Sequence, residues 1–404
     1  MGSCCSISWT PIGSIAIDAY ENKEHTDETE YDHHNHNHQN HHNYIQNGDG
    51  ARVRFHGSSK FLSMYTQQGR KGINQDSMTS WENFNGENDT YFCGVFDGHG
   101  PSGHEVSRIV RDNLPTKLSS FLKKSNNIVA TSEFFSSWEN TIVRSFEDLD
   151  EEIGAADSSV NAYSSGSTAV TVIKQGDNLI ISNLGDSRAI LCTRDDNNKL
   201  VPVQLTKDLK PDLPDEAERI RSRKGRIFPM EEEPEVFRVW MPEQDSPGLA
   251  MSRSFGDFCL KDFGLIPTPQ VSYRKITTKD EFVVLASDGV WDVLSNTEVV
   301  KYVGSARKRS IAARLLVERA VQAWKYRYPT SKVDDIAVVC LFFKEHQVDK
   351  LDESELNNTF SEEVRPGRHK KLKSDDGLDT VVNCEVTRTH NRGVTRRKQS
   401  SHHR

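Results

Sequence analysis

The sequence predicts an α+β fold built on antiparallel sheets. From Ser167 onward, short runs rich in Val, Ile and Leu alternate with turn residues, the spacing of antiparallel strands. Helical patterns stand before and after these runs. The clearest is Glu133 to Ile153, where Trp138, Ile142, Phe146, Leu149 and Ile153 recur at steps of four and three as one apolar face. Several of the apolar runs also stop at aspartate, which places carboxylates at the ends of buried strands.

The chain has 404 residues, enough for one large domain with tails. Hydrophobic residues are only 35% of it, so disordered segments are expected around an ordinary core. A net charge of -8 leaves no nucleic-acid footprint. The seven cysteines are odd in number and lack paired spacing, which points to a reducing compartment. No apolar run reaches the length of a membrane span, and no secretory signal is visible.

The chain opens MGSCCS. Gly2 and Ser6 fit the N-myristoylation pattern, and Cys4 and Cys5 stand beside it for a second acyl chain. One myristoyl chain holds a membrane marginally, and two anchors hold it stably. The expected location is the cytoplasmic face of the plasma membrane, with cytosol or nucleus as the alternative. The polar stretch from Asp18 to Gln46 carries His33, His34, His36, His38, His41 and His42. Such a tract can bind transition metals. It has no fixed ligand geometry, and it reads as a solvated linker. Residues 1–51 are therefore expected to be an acylated, His-rich disordered segment, 52–344 the folded domain, and 345–404 a disordered tail with basic clusters.

Within the domain, Phe61 to Gln67 reads as a first strand. GRKGINQDSM follows at Gly69 to Met78 and places Asp76 after the basic pair Arg70-Lys71, which alone reads as a surface ion pair. Tyr91 to Phe96 reads as a buried strand that ends on Asp97, followed by the turn Gly98-His99-Gly100-Pro101. Asp97 there suits a metal and His99 suits proton transfer. The plainer alternative is a strand-to-helix turn with Asp97 as helix cap. Glu105 to Lys124 is helical, with a kink or break expected at Pro115. Strands are expected at Ser167 to Ile173, Leu179 to Leu184, Arg188 to Thr193 and Leu200 to Leu205, and a charged helix at Asp212 to Lys224. Ile227 to Pro247 reads as an irregular acidic excursion. Glu281 to Ser287 is a strand that ends on Asp288-Gly289. Helices at Ser295 to Gly304 and Ser310 to Arg327 precede a last strand, Ile336 to Phe343, with Asp334-Asp335 just before it.

Asp97, Asp288 and Asp334 are thus strand-end carboxylates, and charge in such places is costly unless paired or bound to metal. Aspartate oxygens suit Mg2+ or Mn2+, and no matching His and Cys set for zinc is present. Two such ions would activate a nucleophile and clamp a phosphoryl oxygen. Cys93 lies inside a strand without a phosphate-cradling loop and reads as a buried thiol.

GINQDSM, VFDGHG, SGSTAV, LGDSRAIL, LKPD, MSRSFGD, ASDGVWDVL and VDDIAVV stand in the order seen in the metal-dependent serine/threonine phosphatases of type 2C. From Phe61 to Phe343 the chain resembles a plant member of that family. The resemblance implies a four-layer α-β-β-α sandwich with two central antiparallel sheets and a binuclear Mg2+/Mn2+ centre. It implies that Asp97 bridges two ions, that Gly98 gives its carbonyl, and that Asp288 and Asp334 complete the ligands. Asp76 then lies near the metal-associated water, and His99 is the general acid. Asp186 and Asp292 match positions for a weaker third ion. The implied reaction is hydrolysis of phosphoserine or phosphothreonine in proteins by a metal-bridging hydroxide, with no covalent phosphoenzyme. Phosphoproteins are the expected partners, the chain is expected to be a monomer, and a membrane-tethered signalling phosphatase is the overall expectation. The alternative is a catalytically weak phosphoprotein-binding scaffold of the same fold.

Two positions depart from the family pattern. Lys71 stands where many members have Arg for phosphate, and Gln75 where many have Glu. The segment at roughly 212–248 matches the flap that overhangs the site in relatives. Trp240 within it reads as a packing residue or, alternatively, as a contact for substrate or a regulator. In the tail, Arg368, Lys370, Lys371 and Lys373, and later Arg396, Arg397 and Lys398, are basic clusters of the membrane-surface or nuclear-signal kind.

Overall fold

The computed structural model describes residues 44–122, 131–155 and 160–344. The N-terminal Gly2, Cys4 and Cys5, most of the histidine-rich tract and the basic tail lie outside these residues.

Two antiparallel sheets face each other. The first runs in the order Ile45–Gln46, Arg52–Arg54, Asp76–Glu82, Thr90–His99, Ala169–Gln175, Asn178–Leu184, Gln270–Lys275. The second runs Leu200–Gln204, Arg188–Arg194, Asp280–Ala286, Ile336–Phe342, Leu62–Gln67, Gly57–Ser58. Side chains alternate across a strand, and here both faces are buried. On Thr90–His99, Cys93 and Val95 pack between the sheets with Val172, Ile181, Leu191, Val283, Leu285 and Val339. Phe92 and Phe96 point the other way and meet the helices Gly103–Leu122 and Thr131–Gly154. The stripe Trp138, Ile142, Phe146, Leu149 and Ile153 is buried in that layer, as its spacing predicts. Asn296–Gly304 and Ala312–Arg327 cover the second sheet through Val299, Val303, Leu316, Val317 and Trp324. The result is the α-β-β-α order. Ser295 starts the first of these helices with a capping box closed by Glu298. No described helix is long and apolar enough to cross a membrane.

Several local expectations are corrected. The strand expected to stop at Asp97 continues to His99, because Gly98 and His99 pair with Ser167 and Gly166. Asp97 therefore sits inside a strand and does not cap the helix, which begins at Gly103. Asp76 opens a strand of its own, Asp76–Glu82, and stands directly opposite Asp97 in the register. Pro115 lies inside Gly103–Leu122 without interrupting it. The segment read as irregular forms a β-hairpin from Arg226–Met230 and Glu233–Trp240. Gln270–Lys275 is an edge strand with no continuous apolar run to announce it.

Candidate active site

The aspartates gather at one end of the sandwich, where strands from both sheets terminate. Asp97 and Asp76 come from neighbouring strands of the first sheet. Asp288 begins a one-turn helix directly after the strand Asp280–Ala286, and Asp334 precedes Ile336–Phe342 in the second sheet. Ser287 ties the sheets together here. Its hydroxyl donates to Asp76 Oδ2 at 2.6 Å and accepts from the Ala337 amide at 3.0 Å. Gly98 lets the turns close, since a Cβ there would lie 2.3 Å from the Gly103 carbonyl oxygen.

The two adjacent aspartates have different tasks. Asp335 accepts the Gly69 amide at 2.7 Å on Oδ1 and the Gln75 amide at 2.9 Å on Oδ2, so both oxygens hold the 69–75 loop. Asp334 instead meets the Lys71 ammonium at 2.5 Å on Oδ2. Gln75 turns its amide to the Gly100 carbonyl at 2.9 Å. Asp186, in the turn between Asn178–Leu184 and Arg188–Arg194, accepts Lys210 Nζ at 2.5 Å on Oδ2, while its Oδ1 is buried without a hydrogen-bond partner among the described residues. His99 Nε2 lies 2.6 Å from Asp257 Oδ2. As the side chains stand, no three His, Cys, Asp or Glu among the described residues form a ready cage for an ion. Lysine ammonium groups stand against Asp334 and Asp186 instead.

The protein phosphatase 2C family profile matches residues 62–324, well over half of the chain. "Probable protein phosphatase 2C 65" of Arabidopsis thaliana is 57% identical over 304 residues, 73% of this chain and 79% of that protein. "Probable protein phosphatase 2C 14" of Oryza sativa subsp. japonica is 52% identical, over 83% of this chain and 69% of that one. The chain belongs to the protein phosphatase 2C family. Its fold also matches the crystal structure of a serine-threonine phosphatase 2C from Toxoplasma gondii, with a TM-score of 0.66, 25% identity, and coverage of 73% of this chain and 99% of that one.

As a 2C phosphatase the protein is a serine/threonine protein phosphatase, and the family implies dependence on Mg2+ or Mn2+. The electrostatics at this end of the sandwich are those of crowded negative charge. Burial, followed by Asp288, Asp76, Asp334 and Asp186, raises the Asp97 carboxyl well above the ordinary range. Burial, then Asp292, Asp186 and Asp334, does the same to Asp288 against the pull of Lys210. Burial, with Asp335 and Asp334, lifts Asp76 to about 7, although Ser287 and Asp97 hydrogen-bond to it. Burial, Asp186 and Asp334 lift Asp292 to about 6 against Lys210 and Lys71. Carboxylates that resist ionisation together become favourable once cations arrive.

Three further residues bear on this end of the sandwich, all inside the motifs quoted above. Asp257 closes MSRSFGD and pairs with His99. Lys210 in LKPD pairs with Asp186. Thr168 in SGSTAV accepts the Asp97 amide at 3.0 Å and lies 2.8 Å from the Ser187 hydroxyl. Only motif membership marked them, because their partners are distant in sequence.

Proposed function

We propose that Asp97, Asp288 and Asp334, with the Gly98 carbonyl, hold two Mg2+ or Mn2+ ions for hydrolysis of phosphoserine and phosphothreonine in proteins, and that Asp186 and Asp292 take a weaker third. What carries this reading is the crowding of carboxyls at one sandwich end, where burial and aspartate neighbours raise both Asp97 and Asp288 well above the ordinary range. The donors are all oxygen, which suits hard divalent cations, and Asp186 keeps one buried oxygen unpartnered. When bound, such ions supply Lewis-acid polarisation of the phosphoryl oxygens and acidify the attacking water.

The chain's own groups do the rest. Asp76, steadied by Ser287, orients the attacking water. Lys71 exchanges Asp334 for a phosphoryl oxygen, as a point charge rather than a bidentate clamp. Burial disfavours the His99 imidazolium, but the charge and hydrogen bond of Asp257, with Asp186, outweigh it and raise the His99 pKa. The raised pKa favours the imidazolium, the form that can protonate the leaving oxygen.

The metal-free chain should turn over a phosphoserine peptide only after Mn2+ or Mg2+ is added and should stop when a chelator is present. Asp97→Ala should lower kcat by about 10²-fold or more, since the ions supply several kcal/mol of charge stabilisation. Turnover in chelator, or full activity of Asp97→Ala, would refute the two-ion reading.

We further propose attachment to a membrane through Gly2, Cys4 and Cys5, on the motif MGSCCS alone. Gly2→Ala should move the protein from the membrane fraction to the soluble one, and unchanged partitioning removes the proposal.

A further inference from the structure

His99 and Asp257 are 158 residues apart in sequence, yet Nε2 of one lies 2.6 Å from Oδ2 of the other. Asp257 is 2% exposed and sits at φ 52°, in the left-handed region that non-glycine residues seldom occupy. Its surroundings hold it there. Its amide donates to the Ser165 carbonyl at 2.9 Å, and its Oδ2 accepts the Ser254 hydroxyl at 2.6 Å. The preceding Gly256 amide donates to Asp150 Oδ1 at 2.8 Å, which ties the turn to helix Thr131–Gly154. Lys261 links Asp150 Oδ2 at 2.7 Å to the Ser254 carbonyl at 2.9 Å. A backbone conformation this unusual, restrained from several elements, belongs to a site whose geometry matters.

Residue 166 is glycine where the two side chains meet. A Cβ there would lie 2.2 Å from Asp257 Oδ2 and 2.7 Å from His99 Nε2. The other imidazole nitrogen, Nδ1, is buried and has no hydrogen-bond partner among the described residues. A buried polar atom without a partner is rare, and a catalytic role is one of the reasons a native structure keeps one.

We propose that Asp257 is the positioning residue of His99: it accepts Nε2–H and so leaves Nδ1–H as the group that meets the leaving seryl or threonyl oxygen. This rests on the reading of His99 as proton donor given above. In the step itself the attacking water oxygen forms the new P–O bond and the old P–O bond breaks with its electron pair on the leaving oxygen. The Nδ1 proton passes to that oxygen, and a neutral imidazole remains, still donating Nε2–H to the Asp257 carboxylate. Asp257 touches neither phosphorus nor substrate. Its effect is to fix the ring and decide which nitrogen delivers.

The test compares two substrates on the full Mn2+-loaded chain. A serine alkoxide needs a proton to leave, whereas p-nitrophenolate leaves as the anion. Asp257→Asn should lower kcat on a phosphoserine peptide about 10- to 100-fold, within the range that acid catalysis contributes. On p-nitrophenyl phosphate it should change kcat by less than about 3-fold, with KM near wild type for both. His99→Asn should show the same split, and the double variant should be no worse than His99→Asn alone. In long-range 1H–15N spectra of the metal-free chain, the two ring-nitrogen signals lost in His99→Asn should shift in Asp257→Asn. Equal loss on both substrates, no loss on the peptide, additive losses in the double variant, or unmoved ring nitrogens would each overturn the positioning role. Should Asp257→Asn fail to fold, Gly166→Ala, which wedges the pair apart, should produce the same split, and equal loss on both substrates there overturns it as well. A split for His99→Asn without one for Asp257→Asn sinks this inference alone, whereas no split for His99→Asn removes the proton-donor reading with it.

Discussion

Glu216, in the first turn of helix Pro214–Ser222, is 2% exposed and gathers three side chains. Arg253 reaches its Oε1 at 2.5 Å, and Arg219 and Ser252 each reach Oε2 at 2.6 Å. Arg253 also donates to the Thr268 carbonyl at 2.9 Å. The node thus pins Ser252-Arg253-Ser254, the segment that leads into the Asp257 turn. Burial alone would raise this carboxyl, but the hydrogen bonds from Arg253, Arg219 and Ser252 bring it down to about 2. A folded-state value below the unfolded 4.5 gives stability that is fully present above pH 4.5 and is lost as pH falls through 2. Glu216→Gln leaves two guanidinium groups short of a counter-charge and should cost about 3–5 kcal/mol in denaturant unfolding near neutral pH. The variant should also lose Glu216's share of the acid-side slope; a variant as stable as wild type would show that the node carries no such weight.

The hairpin of Arg226–Met230 and Glu233–Trp240 behaves as a small unit beside the sandwich. Its sequence mixes proline, glutamate and aromatics, so no alternation is visible, yet Trp240 organises it. The indole stacks on Phe228 with centroids 4.9 Å apart and an interplanar angle of 13°, and its N–H donates to the Phe228 carbonyl at 2.8 Å. Trp240 is 5% exposed, so packing accounts for it better than substrate contact, whereas Phe237 on the same strand is 37% exposed. Trp240→Ala should remove about 3–5 kcal/mol of local packing. Because hairpin residues Ile227 and Val239 pack in a small cluster of their own with Ile220, Leu249 and Leu260, the loss should appear as local opening. Limited proteolysis should cut Trp240→Ala within residues 226–247 at protease levels that spare wild type and Phe237→Ala. Equal sensitivity of all three would contradict this.

Across the whole molecule, two sheets bring their carboxylates to one end, where Lys71 and Lys210 meet Asp334 and Asp186 while Asp97 and Asp288 are crowded among other carboxyls. Function and stability should therefore conflict there. Asp288→Asn removes one member of the repelling set and should raise the melting temperature of the metal-free chain by about 2–4 °C, the shift of roughly 1 kcal/mol in a domain of this size. Wild type should gain about 1.4 kcal/mol per ion for each tenfold rise in Mn2+ above its dissociation constant. Asp288→Asn should lose most of that gain. A variant that melts lower than wild type without metal, yet responds fully to Mn2+, would mean that Asp288 belongs to the packing and not to the ion site.

Much was readable along the chain because its signals are local. The stripe from Trp138 to Ile153 and the runs at Asn178–Leu184 and Asp280–Ala286 each follow from spacing within a few residues. The aspartates proposed for the site were nameable because they sit in ordered motifs. Their surroundings were not readable. The register that sets Asp76 against Asp97, the division of labour between Asp334 and Asp335, and the partnership of His99 with Asp257 all depend on contacts between segments far apart in sequence. A side chain's own neighbourhood sets its periodicity, but its protonation and its partner are set by whatever the packed sheets bring within hydrogen-bonding reach, and no linear pattern encodes that distance.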